Sequence, residues 1–206
     1  MSSKIEMVFP SYIYRGALPP KTAARLNKDL TREIAAMEEI DDDGRTWSEE
    51  RYVGGYTSYS SMAQLHQTSP NFAELKDLLA PHVTRFSKAL KWDLQGRQIE
   101  MSNCWANSMG YGTHHTLHTH PLSVLSGVYY VNLPSGSSPF KIEDPRMGLL
   151  MAAPPRKSSA PARVQNYIEI LSKPGQFILF ESWMRHEVPP HRGQSRRLSI
   201  SFNYEM

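Results

Sequence analysis

Between Lys21 and Ile40 the apolar side chains Leu26, Leu30, Ile34 and Met37 recur at intervals of four, four and three. Such intervals draw one stripe along a helix of 3.6 residues per turn, so a helix is predicted over this stretch. Asp41-Asp42-Asp43-Gly44 follows. Acids at a helix C-terminus oppose its dipole, and the run is read as a loop. Residues 51–61 fit neither helical nor strand periodicity and are read as an extended, glycine-hinged segment. Ser69-Pro70 marks the next helix start, with serine as cap and proline in the first turn. Phe72, Leu75, Leu79, Val83, Phe86 and Leu90 then keep helical spacing to about Lys91. Pro81 removes one backbone donor within this run and is expected to kink or split it.

After Gly96 the period changes to two. Ile99, Met101, Asn103, Trp105 and Asn107 fall on one face of a strand. Val124–Asn132, Phe140–Glu143, Asn166–Leu171, Gln176–Phe180 and Arg197–Tyr204 bring the expected strands to about six. Residues 145–163 hold Pro145, Pro154, Pro155 and Pro161 and are expected to form a long surface loop. Many short strands after a helical half predict a mainly β fold, a jelly roll backed by helices. The chain is taken as one domain over 1–206, with 1–96 as helical support and 97–206 as the jelly-roll core.

Composition narrows the function. The chain has 206 residues, with 23 Lys+Arg against 20 Asp+Glu, a net charge of +3. A protein built to grip phosphate backbones carries a larger or more clustered basic excess, so no nucleic-acid partner is expected. No apolar run approaches the roughly 18 residues of a membrane-spanning helix, and no signal-peptide core is visible at the N-terminus. A single cysteine, Cys104, excludes an internal disulfide and a zinc site built on several thiolates. A cytoplasmic protein is expected.

The chemistry gathers in two segments. In Thr113-His114-His115-Thr116-Leu117-His118-Thr119-His120-Pro121, extended backbone turns His118 and His120 to one face, where both imidazoles reach one metal ion. A turn and a buried strand at residues 174–180 precede a lone His186, and Arg197-Leu198-Ser199 follows eleven residues later. A redox-active Fe(II) needs imidazole ligands on one face with positions left open. An acidic co-substrate needs a guanidinium deep in the barrel to grip its carboxylate by two parallel hydrogen bonds, with a nearby hydroxyl as a further donor. Singly, each of these features is commonplace. Their order and spacing together carry the reading.

In that order and spacing the chain resembles the 2-oxoglutarate- and Fe(II)-dependent oxygenases of the double-stranded β-helix (cupin-like) fold. The matching pieces are His118-Thr119-His120-Pro121, Ser126-Gly127-Val128-Tyr129-Tyr130, His186-Glu187-Val188, and Arg197-Leu198-Ser199 with Phe202-Asn203. The resemblance covers roughly residues 97–204. It implies His118 and His186 as the two histidine ligands, with His120 standing at the third metal position, and co-substrate binding by Arg197, Ser199, Tyr130 and Asn203. It also implies oxidative decarboxylation of 2-oxoglutarate to succinate and CO₂, coupled through O₂ to hydroxylation of a small-molecule or peptide substrate. A membrane partner is not expected, and a homodimer is allowed for.

His120 departs from the common pattern, in which an acidic residue stands at that position. An all-imidazole face also resembles three-histidine cupin dioxygenases that use no 2-oxoglutarate. A cupin-like protein that merely binds a small acid is the alternative of another class. His114 and His115 are close enough to replace a ligand if the register differs, and Glu181 or Glu187 could supply a carboxylate. Trp105 is expected in the core or pocket wall, Cys104 on the opposite strand face, and Arg196 outward. His66, His82 and His191 are read as ordinary surface or loop residues.

Overall fold

In the computed structural model, which describes residues 2–146 and 148–206, the predicted stripe is the buried face of α1 (Pro20–Ile40). The acidic run that follows is not a loop. Asp41 ends α1 and caps α2 (Asp42–Arg51), its carboxylate accepting a hydrogen bond from the Gly44 amide at 3.0 Å. Asp42 and Asp43 thereby occupy a first helical turn, where negative charge suits the dipole. The residues that discourage one helix start the next. After a single turn, α3 (Leu65–Thr68), Ser69 caps α4 (Pro70–Ala89) by accepting from the Phe72 amide. Pro81 does not split α4. It stands on the exposed face, where its ring meets solvent and one helical hydrogen bond is forgone.

The described residues form ten strands: β1 (Ile13–Ala17), β2 (Gly55–Thr57), β3 (Glu100–Met109), β4 (His115–His118), β5 (Leu125–Asn132), β6 (Phe140–Glu143), β7 (Tyr167–Ile170), β8 (Gln176–Glu181), β9 (His186–Val188) and β10 (Arg197–Glu205). The larger sheet runs β1-β8-β5-β10-β3-β2 and the smaller β4-β9-β6-β7, with every strand pair antiparallel. Two such sheets facing one another, one of them backed by helices, are the jelly roll of a double-stranded β-helix. The first 96 residues are more than helical support, because β1 and β2 form both edges of the larger sheet. The segment 145–163 contains one short helical turn, α5 (Leu149–Ala152), and a 3-10 turn (Ala162–Val164) within otherwise irregular chain. Met147 lies outside the described residues.

Strand alternation sorts the core into two layers. From β5, Tyr129 and Val131 pack under the helices with Leu26, Leu30, Leu75, Leu79, Phe177, Ile200 and Phe202. The intervening Val128 and Tyr130 turn inward, against Phe140, Ile142 and Ile170 of the smaller sheet. On β3 one expected face breaks. Asn103 opposes Asn203 while Met101 opposes Tyr204, so Ser102 is an extra residue, a bulge. Met101 and Ile99 therefore pack with the helices, while Trp105 and Asn107 keep the inner face.

A histidine cluster facing a buried arginine

Three imidazoles meet where β4 and β9 pair. His118 closes β4, His186 opens β9 directly opposite it, and His120 follows β4 with its backbone amide bonded to the Ser182 carbonyl at 3.1 Å. One ligand atom from each lies within 4.8 Å of the others. Two of the rings have fixed tautomers. His118 Nδ1 faces the Thr116 carbonyl at 2.6 Å and His186 Nδ1 faces the Met184 carbonyl at 2.8 Å. A ring nitrogen facing a carbonyl must donate, so Nδ1 carries the proton and Nε2 keeps its lone pair for a metal.

The donor set fits a metal ion. His120 Nε2 and His186 Nε2 stand 3.2 Å apart. Two nitrogens each about 2.1 Å from a shared metal, at right angles, stand about 3.0 Å apart. Burial, reinforced by the neighbouring His118, pushes His120 down to about 4 and His186 down to about 2. Burial also holds His118 below its ordinary value. The rings are thus neutral at physiological pH, the form that ligates. Phe180 and Phe140 lie 4.6 and 5.0 Å from the His186 ring and Trp105 lies 6.0 Å from that of His120, an aromatic lining that limits water access.

At the other station, Arg197 begins β10 and is only 2% exposed. Its Nη1 donates to Ser199 Oγ at 3.0 Å and approaches Met109 Sδ at 3.2 Å, while Nε has no partner among the described residues. Its electrostatic partners are Tyr130 and Tyr52, with no carboxylate among them. Tyr130 opposes Ser199 across the β5–β10 pair, its ring centroid 5.4 Å from the guanidinium carbon. A buried guanidinium left without an anion costs several kcal/mol, and a bound carboxylate removes that cost. Arg196 points the other way, pairing with Glu38 of α1 at 3.0 Å, as the strand register requires.

The remaining candidates separate. Asn203 lies four residues beyond Ser199, about 13 Å along the strand, and does not join Arg197. Its Oδ1 accepts from Ser126 Oγ, which shares a 2.8 Å hydrogen bond with Ser182 beneath the His120 segment. Glu187 pairs with Lys141 outside the cluster, and Glu181 is absent from the metal-competent group. His114 is exposed. Cys104 packs under the helices on the face expected for it. His66 and His191 are buried rather than superficial, and half-buried His82 bonds the Tyr14 hydroxyl at 2.8 Å. Sequence reasoning did not single out Tyr52 or Ser182, since neither lies in a motif.

Residues 103–203 match the family model described as "Putative 2OG-Fe(II) oxygenase". This segment, just under half of the chain, is that of a 2OG-Fe(II) oxygenase. Among solved structures, a Pseudomonas putida prolyl-4-hydroxylase superposes over 95% of this chain and 92% of its own, at TM-score 0.62 and 14% identity. HygX from Streptomyces hygroscopicus, solved with nickel and 2-oxoglutarate bound, covers 95% and 83% at TM-score 0.61 and 12% identity. A Burkholderia pseudomallei oxidoreductase of the 2OG-Fe(II) oxygenase family aligns over 66% of this chain and 59% of its own length, at TM-score 0.47 and 17% identity. The first two share the fold of this oxygenase along nearly its whole length. A search among curated proteins finds no match.

Proposed function

We propose that this oxygenase uses Fe(II), O₂ and 2-oxoglutarate to hydroxylate a small-molecule or peptide substrate. His118, His120 and His186 hold the metal, and Arg197 with Ser199 and Tyr130 holds the distal carboxylate of the co-substrate. The observation that carries the reading is the pairing of two incomplete sites in one fold. Three neutral imidazoles converge, two of them with the Nε2 lone pair kept free, and an inward-facing guanidinium has no carboxylate partner among the described residues.

Ferrous iron bound there supplies the dioxygen chemistry that no protein side chain can perform. The chain's own residues do the rest. The Thr116 and Met184 carbonyls fix the ring tautomers, so the Nε2 atoms are presented without rearrangement. Arg197 and Ser199 orient the keto acid from its far end, and Tyr130 walls that end. Phe140, Phe180 and Trp105 keep the space beside the imidazoles dry. The oxo acid is a dianion, so it balances the charge that an all-imidazole ligand set leaves on the metal. A cytoplasmic location is supported by the single, buried, unpaired thiol.

Succinate release tests the reading. Reconstituted with Fe(II) and given 2-oxoglutarate and O₂, the protein is expected to form succinate, and R197A to form none. O₂ consumption without succinate would favour a three-histidine dioxygenase that ignores the oxo acid. Binding of the acid without turnover, whatever candidate substrate is supplied, would favour a small-acid binding protein.

A further inference from the structure

His115 and His118 are three residues apart in β4, an odd interval that turns side chains to opposite faces in a regular strand. On β9 their partners are only two apart, with His115 opposite Val188 and His118 opposite His186. The extra residue on β4 is a bulge, and it brings His115 round to the side of the metal-site histidines, its ring 6.3 Å from that of His118. Tyr52, the residue that closes α2, reaches across to it. The hydroxyl lies 2.7 Å from His115 Nε2 and the rings are 4.6 Å apart. Tyr52 is 3% exposed and packs with Met109 and Val188. The sulfur of that same Met109 lies 3.2 Å from Arg197 Nη1. The phenol and the guanidinium therefore flank one methionine, at the end of the barrel assigned to the acid.

A phenol donating to Nε2 leaves the imidazole proton on Nδ1. It also occupies the nitrogen that a metal would need, which keeps His115 out of the three-histidine group. We propose that His115, held in place by Tyr52, is a further contact for the distal carboxylate of the co-substrate, donating through Nδ1 beside Arg197 and Ser199. The proposal rests on reading this site as a 2-oxoglutarate pocket. It assigns the contact to a residue inside the matched family segment and its positioning to Tyr52, which lies outside that segment.

The test is calorimetric titration of Ni(II)-loaded protein, which does not turn over, with 2-oxoglutarate and with 2-oxobutyrate. The second acid keeps the keto acid end and lacks the distal carboxylate. Wild type is expected to prefer 2-oxoglutarate. H115A is expected to lose roughly tenfold or more of its affinity for 2-oxoglutarate, the effect of one hydrogen bond to a charged group. Binding of 2-oxobutyrate and one Ni(II) per chain are expected to be unchanged. Y52F, which keeps the ring and its packing, should show a smaller loss of the same kind, and H115N, with an amide donor, should recover part of it. Equal losses for both acids, loss of Ni(II), or no change in either variant would overturn the proposal while leaving the pocket reading intact. A wild type with no preference for 2-oxoglutarate would overturn both.

Discussion

Arg197 and Arg196 are neighbours in sequence with opposite surroundings, and that contrast gives the sharpest test at the scale of single residues. Arg197 is enclosed without a carboxylate, whereas Arg196 is half-exposed and already paired with Glu38. Removing one partner of a desolvated charge pair costs about 2–5 kcal/mol, so R197A should weaken 2-oxoglutarate binding by roughly a hundredfold or more. Metal content should stay unchanged, and R196A should bind the acid normally. Anaerobic calorimetry on the metal-loaded variants checks this. The histidines allow a second prediction. An exposed imidazole protonates near 6.5, but burial lowers His120 to about 4 and His186 to about 2. Their neutral, ligating forms therefore persist well below pH 6.5. Metal retention measured against pH should hold to about pH 5 rather than collapse through the ordinary histidine range. In H186A the metal should be lost at every pH. If H120A retains metal as the parent does, His120 is not a ligand.

Among elements, what sequence reasoning could see depended on length. The long, periodic α1 and α4 and the strands β3, β5, β8 and β10 were legible because each carries its apolar positions over six residues or more, and the shorter β6 and β7 were read as apolar runs beside turn-rich chain. The strands β1, β2, β4 and β9 run for only three to five residues, too few to display a period. Two of them, β4 and β9, nevertheless carry two of the three clustered histidines. The grouping of His118, His120 and His186 and the burial of Arg197 were legible from motif order, which survives without an exact register. Asn203 stands apart from Arg197 because motif proximity says nothing of the rise along a strand, and the Tyr52–His115 contact left no local signal because its partners are far apart in sequence. The bulges at Ser102 and in β4 were invisible for the same reason. Asp41 shows how one residue can invert a reading. Its carboxylate accepts from the Gly44 amide and from the hydroxyls of Ser61 and Tyr56. Burial raises its pKa, but these hydrogen bonds and the charge of Arg45 outweigh burial and hold it below the ordinary value. A carboxyl lowered on folding stabilises above its unfolded pKa, near 3.8, and that contribution is lost as pH falls through the folded value. D41A should therefore cost about 1–3 kcal/mol near neutral pH by denaturant unfolding, and D41N should cost less than D41A.

For the molecule as a whole, the histidine cluster that could hold a metal weakens the metal-free protein in acid. Each histidine whose pKa is lowered on folding binds its proton more readily in the unfolded chain. Stability of the metal-free protein should thus be level above about pH 6.5 and fall as pH drops from there toward about 4, where His120 titrates, and further toward His186. A bound metal engages the neutral imidazoles and should flatten this decline, which thermal melting across pH with and without Ni(II) would reveal. A melting temperature that does not respond to pH between 6.5 and 4 would mean that the rings are not buried as described. The larger sheet, backed by α1 and α4, carries Arg197, and the smaller sheet carries His118 and His186, so the arginine and the histidine cluster come together only where the two sheets face each other. The most direct test of this arrangement is a crystal structure obtained anaerobically with Fe(II) and 2-oxoglutarate. It should show one iron bonded to the Nε2 atoms of His118, His120 and His186, with the distal carboxylate of the acid on Arg197 and Ser199. Iron bound elsewhere, or an acid whose distal carboxylate leaves Arg197 unpaired, would contradict it.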